Sequence, residues 1–451
     1  MALTIEPPRV RHPRRLVRRY RHDRSRIPTS AQLTPQAPRG YRRGTNGYTR
    51  ITTALFAAGM ATFISMYSAQ AVLPQLAREF DVSPATSALA VSATTGVLAF
   101  AIVPASILSE RFGRIRVMAA SALVSALIGL LIPLAHDLGV VLVGRALQGL
   151  TLAGVPAVAM AYLAEEVDGR DLGAAMGRYI AGTTIGGLSG RLVAGLALDV
   201  VSWRWAMEAA AVMALVFTAV FVRLAPPSRF FAAKPIGVRA SMHNVATHLR
   251  NARVMALVAI AFLLMGGFVS LYNILGFRLL DEPFALPQAL VSLVFVMYLS
   301  GTVTSAWAGR LADRFGRGRV LLASIAFMLV GLALAWVDWL PGVLVGMLVF
   351  TGAFFAAHSS ASGWVSAMAD EHRAEASSLY LFGYYTGSSV VGALVGLPFS
   401  RSGWAGASLF VGALVVLASL IAAWLVAVTR RTQAAATPGA SGPAHPPQWM
   451  P

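Results

Sequence analysis

The chain has 451 residues, 57% hydrophobic and only 12% charged, with a mean hydropathy of +0.66, which excludes a water-soluble domain. Its net charge of +18 looks like a nucleic-acid signal, but residues 1–50 carry 13 arginines against Glu6 and Asp23, or +11 of it, so no nucleic-acid partner is implied. Cysteine is absent, which excludes disulfides, thiolate metal sites and cysteine nucleophiles.

Residues 1–50 are rich in Arg and Pro and poor in apolar side chains, and are expected to form a disordered basic tail near anionic headgroups. Apolar stretches of about 20 residues, the length a hydrocarbon core of about 30 Å demands, then recur twelve times. They lie near 51–76, 87–109, 117–135, 139–164, 172–198, 205–222, 254–279, 288–308, 320–337, 340–368, 376–398 and 405–428. Backbone groups in lipid must bond within their own segment, and unbroken runs lack the alternation of barrel strands, so all twelve are predicted helices. A basic linker over 223–253 and a second disordered tail over 429–451 complete the chain.

Lys and Arg near helix ends resist translocation. Most of the 37 fall in the two tails and in alternate loops, against four on the other side, Arg78, Arg204, Arg278 and Arg401. Both termini are therefore expected in the cytoplasm. Arg145, Arg178 and Arg191 lie inside predicted helices, where a charge needs a partner or a wet cavity.

The chain repeats itself. SILSERFGR at Ser106–Arg114 and GRLADRFGR at Gly309–Arg317 follow the second and eighth stretches, with Glu110 and Asp313 203 residues apart. Ser65-Met66-Tyr67 answers to Ser270-Leu271-Tyr272 and Gly182-Thr183-Thr184 to Gly387-Ser388-Ser389, both at 205, and Trp203 to Trp404 at 201. Four registers this close predict a duplicated six-helix unit: an all-α membrane protein of twelve transmembrane helices in two six-helix bundles, 51–222 and 254–428.

The duplicated loop resembles the signature G-x-L-A-D-R-x-G-R of the major facilitator superfamily. The second copy matches throughout; the first has Ser106, Ser109 and Glu110 in place of Gly, Ala and Asp. The segment Arg178–Trp205 is similar to the YnfM-type branch of the drug:proton antiporters. The resemblance implies the major facilitator fold and a monomer in the cell inner membrane, exporting a small organic compound (drug, sugar or metabolite) in exchange for protons. Arg145 to Gly149 resembles the family's R-x-x-x-G element, which implies proton coupling through Arg145. The glycines of the fifth helix resemble the antiporter motif, but its G-P pair is missing.

In the duplicated loop, Gly309 would let the eighth helix approach a neighbour closely. Glu110 or Asp313 could accept from a nearby arginine or from a helix N-terminus. A conformational latch of Glu110, Arg111, Arg114, Gly309, Asp313, Arg314 and Arg317 follows, formed in one access state and broken in the other. The arginines could instead merely enforce topology.

A cavity lined by helices 1, 4, 7 and 10, as the fold implies, would display Tyr67, Gln70, Arg145, Gln148, Tyr272, Asn273, His358 and Trp364, with Tyr380, Tyr384 and Tyr385 from helix 11. Arg191 could meet an anionic or hydroxylated substrate there, or pair with Asp199 or Glu208. The first helix has no acid, so proton carriage falls to Arg145 and His358, or to Glu208, Glu165 and Glu166. The two adjacent glutamates are expected to pair with Arg170 and Arg178. Uptake or facilitated exchange of an organic anion or sugar is the alternative, motivated by Arg145 and Arg191. A remote alternative is an intramembrane serine protease built from Ser189, in Gly187-Leu188-Ser189-Gly190, and His358. No Walker phosphate loop appears, so ATP is not the implied energy source, and no cofactor or metal is implied.

Overall fold

The computed structural model describes residues 40–231, 245–369 and 373–436. They form twelve long helices: α1 Asn46–Ala71, α2 Pro84–Phe112, α3 Arg114–Leu131, α4 Leu138–Glu166, α5 Leu172–Ala197, α6 Trp203–Leu224, α7 Ala252–Leu280, α8 Gln288–Phe315, α9 Arg317–Leu334, α10 Leu340–Met368, α11 Arg373–Leu394 and α12 Gly396–Ala436. Ten are long and apolar enough to cross a membrane. The other two, α5 and α11, are less apolar because they carry glycines with arginines or with serines and tyrosines, and they pack closely on α1 and α7. Since twelve crossings return the chain to its starting side, both described ends share one face, called here the basic face.

Local chemistry sets the boundaries. Thr45, Ser83, Asp137 and Asn251 cap α1, α2, α4 and α7 through their side-chain oxygens. Gly113 and Gly316 join α2 to α3 and α8 to α9 at φ of 93° and 88°, a conformation that disfavours a Cβ. This is the physical reason for the late glycine in both copies of the repeated loop.

The packing repeats as the sequence does. In the first half α1 packs on α5 and α6, and α2 on α4; in the second, α7 packs on α11 and α12, and α8 on α10. The halves meet along α2–α11 and α5–α8, two seams exchanged by a twofold operation. Gln70 and Asn273, 203 residues apart, donate and accept across the seam at 2.7 Å. The central helices are α1 and α7, each 83% buried over its most apolar window, against 33–56% for the other eight candidates.

Two expectations about the chain's edges need correction. The tail placed at 1–50 is ordered from residue 40: the Tyr41 N–H donates to the Glu166 carbonyl at 2.7 Å, the Tyr41 carbonyl accepts from Asp168, and α1 begins at Asn46. The tail placed at 429–451 begins as helix, since α12 runs to Ala436. The remainder of both, 1–39 and 437–451, lies outside the described residues, as do 232–244 of the linker.

Candidate functional site

Of the three arginines inside predicted helices, Arg178 is exposed and donates to Thr52 at 3.2 Å, whereas Arg145 and Arg191 are buried and do different things. Arg145, with no exposed surface, donates from Nε to the Ala90 carbonyl (2.9 Å), from Nη1 to the Ser65 carbonyl (2.8 Å) and Gln148 Oε1, and from Nη2 to the Met66 carbonyl (2.6 Å). Gln148 in turn donates to the Ser125 carbonyl at 3.1 Å. The pair thus ties α4 to α1, α2 and α3. One turn on, Gly149 lies against the backbone of Thr94, where a Cβ would overlap. The R-x-x-x-G element is therefore a fastener inside one half. In this conformation Arg145 and Gln148 are buried and every hydrogen bond found for them lies inside the first half, so neither side chain reaches the seam where a solute or proton was expected.

Arg191 lies at the seam. It is 1% exposed and donates from Nε to Gln70 Oε1 (2.7 Å), from Nη1 to the Gly187 carbonyl (2.8 Å) and, across the halves, from Nη2 to the Tyr298 hydroxyl (3.3 Å). Its guanidinium carbon sits 4.1 Å from the centre of the Tyr67 ring and 4.4 Å from that of Tyr298, with Phe295 at 5.4 Å. Neither Asp199 nor Glu208 is among its partners; Asp199 accepts instead from the Ala289 N–H at the start of α8 (3.1 Å). Gln70 passes the network on: its amide donates to Asn273, whose amide donates to the Gly392 carbonyl at 3.1 Å. One polar chain thereby runs from α5 through α1 and α7 to α11.

Aromatic side chains floor this chain on the basic side. Phe268 stacks on Phe354 at 4.0 Å, and Tyr272 is fastened to Thr351 at 2.7 Å, so Tyr272 packs more than it binds. His358 Nδ1 meets the Tyr380 hydroxyl at 3.0 Å, its ring 4.7 Å from that of Tyr384, and both His358 and Tyr384 are part-exposed. Trp364 is elsewhere: its ring packs on Gly318 at the basic end of the second half, which corrects its place in the cavity. Ser189 and His358 do not bond each other, and the His358 ring is engaged by Tyr380, so the protease geometry does not form.

The repeated loops differ in state. Arg114 grips Glu165 through Nη2 (2.8 Å) and Nε (3.2 Å) and donates to Ser109 (2.7 Å), with Glu110 at 3.8 Å. Arg317 donates to the Gly363 carbonyl at 2.8 Å. Asp313, Arg314 and Arg111 are exposed, the two arginines resting only over the neighbouring Phe315 and Phe112. Gly309 faces open space, so the close approach expected of it is not made in this conformation. Asp313 borders an open groove of about 1170 Å³ shared with Arg253, Arg317 and Arg319. The pairing expected of Glu165 and Glu166 with Arg170 and Arg178 is also corrected: Glu165 takes Arg114, and Glu166 accepts from the backbone of Arg229 (2.6 Å) and Phe230 (3.0 Å).

Tyr298, Phe295, Gln75 and Gln288 were not legible as site residues. Gln75 donates to Gln288 across the seam at 2.8 Å. The only trace was indirect: a buried arginine on α5 requires acceptors from whatever packs against it.

The sequence profile described as Major Facilitator Superfamily matches residues 55–301 and 279–450. The inner membrane transport protein YnfM of Escherichia coli (strain K12) is 40% identical over 393 residues, covering 87% of this chain and 94% of that protein. The uncharacterized MFS-type transporter YybF of Bacillus subtilis (strain 168) is 37% identical over 384 residues, covering 85% and 94%. The crystal structure of the nucleoside transporter NupG superposes with a TM-score of 0.70 at 15% identity, covering 84% of this chain and 99% of that one, a likeness of fold.

Proposed function

The chain belongs to the major facilitator superfamily and is a multi-pass membrane transporter rather than an enzyme, and on that premise we propose that it is a secondary carrier exporting a small organic compound in exchange for protons by alternating access. One observation carries the reading: among the described residues, the hydrogen bonds that join the halves lie toward one end. Gln75–Gln288, Gln70–Asn273, Arg191–Tyr298, Asp199–Ala289 and Ser389 to the Ser92 carbonyl (2.7 Å) all lie toward the face opposite the described chain ends. Gly396 also lies there, against the backbone of Ala85, where a Cβ would overlap. Toward the basic face no hydrogen bond or ion pair joins the halves among the described residues; Arg114, Arg253 and Arg317 each bond within their own half.

A carrier needs both this state and its mirror, and the twofold packing supplies the second: the same two seams, rocked about the centre, close the basic face. The latch of Glu110 and Asp313 belongs to that second state. We read the basic face as cytoplasmic, since Lys and Arg resist translocation, which puts both termini in the cytoplasm of an inner-membrane protein working as a monomer with bundles 51–222 and 254–428. His358 is the proton carrier, the titratable side chain on the open side of the aromatic floor, with Tyr380 as its hydrogen-bond partner. The test is flux in proteoliposomes across drugs, sugars and organic acids with and without an imposed pH gradient. His358→Asn should abolish the effect of the gradient while solute-for-solute exchange persists; gradient-driven flux in that variant refutes the proton assignment.

A further inference from the structure

We propose that the transported solute is a small organic anion, one carboxylate or sulfonate on a flat apolar body, and that Arg191 both receives its charge and bolts the far face. The inference rests on the carrier reading and gives it a substrate class.

Arg191 is fully enclosed, yet none of its partners is charged: a side-chain amide, a backbone carbonyl and a tyrosine hydroxyl. Arg114 and Arg278, also largely buried, each meet an acid, Glu165 at 2.8 Å and Asp338 at 2.9 Å, while Arg178 and Arg317, which have neutral partners, are less enclosed. Arg145 lacks an acid too, but four acceptors wrap it inside a single half. A guanidinium has five N–H donors, and Arg191 uses three of them. Burying a charge without a counter-charge is costly, and dipoles and ring faces offset only part of that cost. A charge held this way at the meeting of two moving halves is matched by an anion that comes and goes. The rings of Tyr67 and Tyr298 on the guanidinium, with part-buried Phe63, Phe355 and Tyr384 toward the open side, suit a flat apolar body.

Binding and gating then become one event. The Tyr298 bond is the longest of the three at 3.3 Å, and it is the one that crosses the halves. A carboxylate forms charge-assisted bonds roughly twice as strong as neutral ones. An anion taking the free donors of Arg191 competes first with Tyr298 and next with Gln70, whose other end holds Asn273 of the second half. Loading the site thus loosens the polar chain that keeps the far face shut.

The experiment uses the full chain in lipid nanodiscs with two matched pairs of probes: benzoate against benzamide and benzenesulfonate against benzenesulfonamide. Titration calorimetry should show each anion binding at least about tenfold more tightly than its amide, and Arg191→Gln should abolish that preference, leaving each anion and its amide with equal affinity. Tyr298→Phe should keep the anion preference and speed labelling of a cysteine placed at Gln75 from the far side. Equal affinities within both pairs in the unaltered chain, a comparison that needs no variant to fold, overturn the proposal. So does an anion preference that survives Arg191→Gln. Counterflow in proteoliposomes separates the two levels: if sugars or amides move and anions do not, the carrier stands and this inference falls, whereas if nothing in the panel moves, the carrier reading falls first.

Discussion

Replacing glycine by alanine should change sign from place to place in this protein. At Gly182 a Cβ would press into the backbone of Phe56 on α1, and at Gly387, its counterpart, into the backbone of Phe262 on α7. Backbone cannot swing aside as a side chain can, so the helices must separate, an overpacking that costs about 1–3 kcal/mol. Alanine recovers about 0.5–1 kcal/mol of helix propensity, leaving both variants destabilised by up to about 2.5 kcal/mol. At Gly309 a Cβ meets nothing within 4 Å, so only the propensity term remains and Gly309→Ala should be more stable by about 0.5–1 kcal/mol. Transport by Gly309→Ala should nevertheless slow, because the proposed second state brings α8 against a neighbour at that point. Thermal unfolding in a single detergent, read beside proteoliposome flux, measures both quantities. Shifts of one sign at all three positions would refute the packing argument, and a stabilised Gly309→Ala with normal flux would refute the closed basic face.

Because the natural chain has no cysteine, Gln75→Cys with Gln288→Cys makes a clean cross-linking pair; oxidation should arrest flux and a reductant restore it, and flux in the cross-linked protein would sink alternating access at this face. Asp313→Asn should insert normally and lose most transport without a change in unfolding temperature, since Asp313 makes no bond in this conformation among the described residues. Glu165→Gln should instead lower the unfolding temperature, because it removes the carboxylate that Arg114 grips at 2.8 Å. Arg145→Ala removes four hydrogen bonds at the junction of four helices and leaves a cavity, so about 3 kcal/mol or more of stability should go with it; a stable variant whose only defect is loss of pH-gradient drive would return Arg145 to coupling.

Gly113 and Gly316 show what reads straight from a sequence: a positive-φ corner demands glycine locally, and the corner recurs because the unit was copied. The solvent, the number of crossings and the duplication are legible in the same way, since each depends on composition, length or spacing along one dimension. Arg145 and Arg191 show where that ends. Both are arginines inside helices, each beside a glycine, and nothing along the chain tells a fastener inside one half from a charge on the seam. Trp364 and His358 are six residues apart on one helix, yet one packs on α9 and the other on Tyr380 of α11. Glu165 chose Arg114, 51 positions away, over the nearer Arg170 and Arg178. Composition and periodicity decide which residues must leave water. Only packing decides which buried polar groups find a permanent partner and which, like Arg191, are left among neutral ones where two halves meet, because a partner is a matter of distance in space and not of separation along the chain.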